Sequence, residues 1–250
     1  MPDQPPLIAA AGLAVAYPGG PPVLEGVTLA IPRGMRVGVL GPNGGGKTTL
    51  LRTLLGELRP AAGTLAVSGR CGTVPQTERS RLDFPVSALD VVLMGALGRL
   101  AWWRRPGRAE RRDARAALAR VGLEDRAQDT FGELSGGQRQ RVLVARALLQ
   151  DADAILFDEP FTGLDAPSSV QLTALIDALA AEGRAVLIAT HDVEQTLAWD
   201  AVLCLNRRQV AFGPPAATLT GAVLEATYGH ALVHVPGSSE TFAVVAHHHE

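Results

Sequence analysis

Eight consecutive residues, Gly41-Pro42-Asn43-Gly44-Gly45-Gly46-Lys47-Thr48, fit the pattern G-x-x-x-x-G-K-[ST]. Glycine lets a backbone come close to an anion, and successive N–H groups then form a concave cradle. A helix that starts at such a loop adds partial positive charge. Lys47 stands where an ammonium reaches the β- and γ-phosphates of a nucleotide, and Thr48 where a hydroxyl reaches Mg²⁺. Glycine is common in the chain, 27 of 250 residues. A glycine-rich turn alone does not explain Lys47 and Thr48.

The elements needed to hold such a loop flank it. Val37-Gly38-Val39-Leu40 reads as a buried strand, and residues 48–55 read as a helix. A second constellation follows later. Ala154-Ile155-Leu156-Phe157 is a buried strand that ends in two acids, Asp158 and Glu159. Downstream of a phosphate loop, Asp158 is placed to hold Mg²⁺ through water and Glu159 to orient an attacking water. A third is Leu134-Ser135-Gly136-Gly137-Gln138, where a Ser N-cap, two glycines and a helix start make another anion site. Residues 185–190 form an apolar run without alternation, as in a parallel strand covered on both faces, and His191 ends it.

The rest of the chain supplies the frame. Residues 7–17 and 27–31 read as strands on either side of the turn cluster Pro18-Gly19-Gly20-Pro21-Pro22. Arg59-Pro60-Ala61-Ala62-Gly63 breaks the helix after the loop, and short strands follow at 64–67 and 73–74. From 86 to 150 helical periodicity takes over. Residues 108–121 set Ala109, Ala116 and Leu118 as the apolar positions of a solvated amphipathic helix. A helix from Ser135 runs through Leu149, and another covers 168–181. Residues 201–205 and 209–212 flank Asn206-Arg207-Arg208 as a hairpin, and the signal weakens beyond Pro214.

Bulk numbers exclude several classes. Hydrophobic residues at 47% and charged residues at 19% fit a globular core, and a net charge of −2 argues against a nucleic-acid partner. The length suits one large domain or one domain with an insertion. Cys71 and Cys204 read as free buried thiols of a reducing compartment. The first residues lack the pattern of a signal peptide, and no run of about 18 apolar residues spans a bilayer. Work at a membrane would need another chain as the anchor.

In family order, Gly41 to Thr48, Gln76, Leu134-Ser135-Gly136-Gly137-Gln138, Asp158-Glu159 and His191 resemble the ATP-binding subunits of ABC transporters over residues 7–213. The resemblance implies an α/β fold, a P-loop NTPase (RecA-like) core with an antiparallel β subdomain and an inserted helical subdomain. The core would be 1–85 and 151–213, the helical subdomain 86–150 and a C-terminal extension 214–250. ATP and Mg²⁺ would be the bound species. Tyr17 matches the aromatic that stacks on adenine, and Thr49 joins the residues at the phosphates. Gln76 matches the glutamine that contacts Mg²⁺ and the attacking water, and it heads the segment that senses the membrane partner. Asp165, in Gly163-Leu164-Asp165, matches a loop that communicates across a dimer. His191 matches the switch histidine at the γ-phosphate. Thr48, Gln76 and Asp158 would be the Mg²⁺ contacts.

The same resemblance implies a homodimer that holds ATP at two composite sites. It implies a peripheral place on the cytoplasmic face of the cell membrane, against an integral membrane permease served by a substrate-binding protein. Gly44-Gly45-Gly46, Phe157 and Gly163 depart from the commonest family residues, but none removes a catalytic group. Residues 83–95 and Trp102-Trp103-Arg104-Arg105-Pro106 look like the bacterial manganese, zinc and iron-type importers. Siderophore or cobalamin importers and soluble non-transport ABC ATPases are the alternatives. Trp-Trp-Arg-Arg also has the make-up of a nucleic-acid patch, which the net charge disfavours. His230, His234 and His247-His248-His249-Glu250 suit Zn²⁺ or Ni²⁺ but equally a tail or a tag remnant, and they are not counted as a site.

Overall fold

A computed structural model describes residues 5–75, 85–101, 103–229, 232–234 and 242–244. The chain forms two compact units. One comprises Met1–Ser68 and Leu187–Glu250, the other Gly69–Val186.

The first unit begins with β1 (Ile8–Ala16), β2 (Pro22–Ile31), β3 (Arg36–Leu40), α1 (Lys47–Leu54) and β4 (Pro60–Val67). β1 lies between β2 and β4 and is antiparallel to both, so this is the expected antiparallel sheet. Ile8, Leu13 and Val15 of β1 pair with Ile31, Val27 and Leu24 of β2, and all six are fully buried. Pro60 does not stand before the strand as the sequence suggested. It is the first residue of β4, just as Pro22 is the first of β2. Both are edge strands, where a residue without an N–H costs no ladder bond.

The second unit carries β5 (Cys71–Val74), α2 (Ala88–Leu93), α3 (Arg108–Arg120), α4 (Gly136–Leu149), β6 (Ala154–Asp158) and α5 (Ala166–Ala181). β5 and β6 run parallel, with Cys71 beside Ala154 and Val74 beside Phe157. α2 opens with a capping box between Ser87 and Asp90. The amphipathic face of α3 differs from the expected one. Ala114, Ala117 and Leu118 are buried and Ala109 and Ala116 are exposed, because i, i+3, i+4 spacing selects one face.

The chain returns to the first unit through β7 (Ala185–Thr190), all of it buried, and α6 (Val193–Thr196). β8 (Ala201–Leu205) runs parallel to β3 and forms a hairpin with β9 (Gln209–Gly213). Beyond Pro214, where the sequence signal is weak, lie α7 (Pro215–Thr218) and α8 (Gly221–Tyr228), which contact β8 and β9. α8 buries only Leu224, Thr227 and Tyr228, too few positions for a readable period. β10 (Leu232–His234) pairs antiparallel with β11 (Phe242–Val244). Both cysteines are free, and burial pushes each thiol up to about 11. Among the described residues no helix is long and apolar enough to cross a membrane.

The strand that leads into the phosphate loop is fixed at its start. Arg36 donates through Nε and Nη2 to the two carboxylate oxygens of Asp200, at 3.1 and 2.9 Å, and its backbone N–H donates to the same carboxylate at 2.8 Å. The Arg36 guanidinium holds the Asp200 carboxyl below its ordinary value of 3.8, against the opposing effect of partial burial. A depressed folded pKa means the contribution is complete above about pH 4 and lost as pH falls through the folded value. Asp200→Asn should lower Tm by roughly 2–4 °C at pH 7, the size of ~1 kcal/mol in a chain of this length. The deficit should shrink as both proteins are melted below pH ~3.8. An equal deficit at pH 3 and pH 7 would show that the carboxylate charge is not what matters.

Candidate functional site

Residues 41–46 carry the chain from β3 into α1. Gly46 is the N-cap of α1 at φ 101°, a conformation that a side chain disfavours. No side-chain hydrogen bond from the N-cap residue closes the start of this helix. A Cβ on Gly41 would overlap the carbonyl of Leu205, so the loop runs directly against the end of β8. The Gly45 carbonyl accepts from the Arg207 N–H at 2.9 Å, and the Gly45 N–H donates to Pro42 O at 2.9 Å. Lys47 is 6% exposed, and its Nζ donates to Gly41 O at 2.6 Å and Pro42 O at 3.2 Å. A buried ammonium spanning a glycine cradle at a helix start suits a polyphosphate. Thr48 is half-buried and Thr49 buried on the first turn.

Tyr17 follows β1. It is 37% exposed, so it is no core tyrosine. Its hydroxyl shares a hydrogen bond with Thr49 Oγ1 at 3.4 Å, and Arg52 Cζ lies 5.8 Å from the ring centroid. The ring is thus held upright beside α1 by a bond at its tip and a cation over its face. His191 is exposed directly after β7, in a turn fixed by the Asp192 N–H donating to Thr190 Oγ1 at 3.1 Å. Asp192 then caps α6 through the N–H groups of Glu194 and Gln195.

The other unit holds the second helix start. Ser135 is the N-cap of α4, and the capping box is complete. The Gln138 N–H donates to Ser135 Oγ at 3.3 Å, and the Ser135 N–H donates to Gln138 Oε1 at 2.9 Å. The Gln138 side chain is therefore engaged by the loop itself. The first-turn amides of Gly136 and Gly137 have no helical carbonyl to serve. Leu134 is buried and anchors the approach.

β6 delivers Asp158 at its last position, half-buried. Glu159 follows at φ 49°, in the left-handed region. Only three non-glycine residues among those described adopt positive φ, and such strain persists where surrounding structure enforces it. Asp165 is the N-cap of α5 and accepts from the Ser168 N–H at 3.1 Å. Hydrogen bonds from the Ser168 hydroxyl and then its backbone hold the Asp165 carboxyl below the usual carboxylate range. Gln76 lies outside the described residues.

Three supporting residues gain a role only from the structure. Arg139 donates to Leu134 O at 2.7 Å and Gly132 O at 3.3 Å, clamping the turn before α4. Arg141 donates to Val121 O at 3.2 Å and so joins α4 to the end of α3. Arg146 donates to Thr73 O at 3.2 Å on β5, and burial lowers its pKa. A charge inside the apolar run 142–149 needed a partner, and that was the available signal. Tyr228 is also buried. Burial pushes its phenol up and Cys204 adds to the rise, with the Gly41 amide opposing.

Tyr17→Ala should weaken ATP binding about tenfold, on the scale of base–aromatic stacking, and Tyr17→Trp should preserve it. Equilibrium titration with a fluorescent ATP analogue measures both. Unchanged affinity in Tyr17→Ala would remove the ring from the site.

Comparison with known proteins agrees with this geometry. The family described as ABC transporter matches residues 24–162. The manganese transport system ATP-binding protein MntB of Bacillus subtilis is 42% identical over 217 residues, 83% of this chain and 87% of that protein. The zinc transport system ATP-binding protein TroB of Treponema pallidum is 42% identical over 218 residues, 83% of this chain and 82% of its own. A solved metal-chelate type ABC transporter in an inward-facing conformation aligns with a TM-score of 0.83 at 31% identity, covering 96% of this chain and 98% of the other. A bacterial ABC transporter cassette solved as a dimer aligns at a TM-score of 0.70 and 25% identity, over 83% and 98% of the two chains. A glycine cradle closed by a buried lysine, a Ser-capped Gly-Gly-Gln helix start and an acid pair after a buried strand thus agree with these likenesses, and the chain belongs to the ABC transporter family as one of its ATP-binding ATPase subunits.

Proposed function

We propose that this chain is the ATP-hydrolysing subunit of an importer for a divalent transition metal, manganese, zinc or iron. The observation that carries the motor role is the presence in one chain of two anion-suited helix starts, at Lys47 and at Gly136. The cargo is supported by the manganese and zinc transport systems to which the similar relatives belong.

Each residue has a role in the reaction. Tyr17 stacks on the adenine. The amides of residues 41–46, with Lys47 and Thr49, bind and neutralise the phosphates. Thr48, Asp158 and Gln76 are the residues that would hold Mg²⁺, which supplies charge neutralisation of the phosphoryl oxygens when bound. Glu159 accepts a hydrogen bond from the attacking water and aims it, with Gln76 and His191 orienting the water and the γ-phosphate. Leu134, Ser135, Gly136, Gly137 and Gln138 act on the ATP held by a second copy of the chain, and Asp165 communicates across that dimer. Dimeric cassette structures among the relatives support this arrangement. The chain works peripherally, on the cytoplasmic face of the membrane against an integral membrane permease, and meets the substrate-binding protein only through it. No nucleic acid takes part.

A deletion strain should grow poorly when manganese, zinc and iron are chelated, and one of these ions should rescue it. Expression of the wild-type chain should restore growth. Glu159→Gln, which keeps ATP binding but cannot polarise water as a carboxylate does, should not. Normal growth under all three limitations, with a defect on a siderophore or cobalamin, would overturn the cargo. Restoration by Glu159→Gln would overturn the role of Glu159.

A further inference from the structure

Charge is unevenly spread along this chain. Residues 99–115 hold seven of its 23 basic residues and two of its 25 acidic ones, so a 17-residue segment is strongly positive in a chain of net charge −2. On α3, Arg108, Arg111, Arg112 and Arg115 fall at i, i+3, i+4 and i+7, which is one helix face. They line an open recess of about 510 Å³ together with Ala116 and Glu124. Like charges at this spacing repel, and arginines near a helix start oppose the helix dipole. Among the described residues Arg112 pairs with Asp113 at 3.1 Å, but no carboxylate pairs with Arg108, Arg111 or Arg115. A merely solvated face interleaves both signs. This one is arranged at a cost to the isolated helix, which a facing anionic surface would offset.

The segment that precedes α3 carries exposed apolar and aromatic side chains. Met94, Leu97 and Trp103 are 45%, 52% and 72% exposed. Arg104 ties this segment to α3 through Glu110 at 3.8 Å. Exposed tryptophan and aliphatic groups in the same stretch of chain as these arginines suit the border between lipid headgroups and acyl chains, where guanidinium groups hold phosphates and long apolar stems lie along the interface. We propose that the Arg108, Arg111, Arg112 and Arg115 face of α3 docks on an anionic phospholipid surface, with Trp103 and Leu97 of the preceding segment as accessory apolar contacts. This contact is made by the chain itself and needs no permease, so it stands apart from the reading above.

The test is flotation of the full-length protein with vesicles of phosphatidylcholine alone or with about 30% phosphatidylglycerol, at low salt and at roughly 0.5 M NaCl. The wild type should float with the anionic vesicles only, and high salt should release it. Replacing all four arginines by glutamine should cut binding by at least about tenfold with ATPase activity unchanged. The milder pair Arg111→Gln and Arg115→Gln should give an intermediate loss, and it decides the matter if the quadruple variant does not fold. Inorganic phosphate at millimolar levels should not compete. Wild-type protein that ignores lipid charge, variants that bind as the wild type does, or release by inorganic phosphate would each overturn the proposal. So would a preference for soluble polyglutamate over anionic vesicles, which would give the face to an acidic protein segment.

Discussion

A backbone can hold a polyphosphate only where no side chain stands between its amides and the anion. That constraint shapes the first unit. Gly41 passes so close to the Leu205 carbonyl that no Cβ fits, and Gly46 enters α1 at φ 101°. The Arg207 N–H ties the loop to the end of β8 through the Gly45 carbonyl, and the Gly45 N–H closes the loop on Pro42 O. β8 must therefore lie beside β3, and the Arg36–Asp200 clamp and the parallel pairing of Val37 to Leu40 keep it there. Lys47 completes the cradle by placing a buried positive charge across it.

The second helix start obeys the same physics with different parts. Ser135 and Gln138 satisfy each other, Arg139 holds the preceding carbonyls, and the two glycine amides are left at the positive end of α4. Glu159 shows the cost of such placement. Its left-handed backbone directly follows a strand whose first four residues are all buried.

Much of this was legible in the sequence, and the reasons are local. The phosphate loop, the Ser135 N-cap and the buried strands β6 and β7 are each written in a few contiguous residues whose types leave little choice. Pro60 and Pro22 misled because a proline reads as a break, whereas an edge strand accepts one as its first residue. On α3 alanines are so frequent that composition could not choose the buried face, and packing chose Ala114, Ala117 and Leu118. α7 and α8 were hidden because they bury few residues. Arg139, Arg141 and Arg146 act through backbone carbonyls distant or irregular in sequence, which no spacing rule marks.

In the proposed mechanism the two helix starts serve one nucleotide from two copies of the chain. Cross-linking between copies tests it most directly. Asn43→Cys in one chain and Ser135→Cys in another, both carrying Glu159→Gln to retain ATP, should form an inter-chain disulfide when ATP is added. The native thiols should stay silent, since burial pushes Cys71 and Cys204 up to about 11. A cross-linked pair should form with ATP and none without it. No inter-chain bond in either condition, or an ATP-dependent bond within a single chain that carries both cysteines, would contradict it.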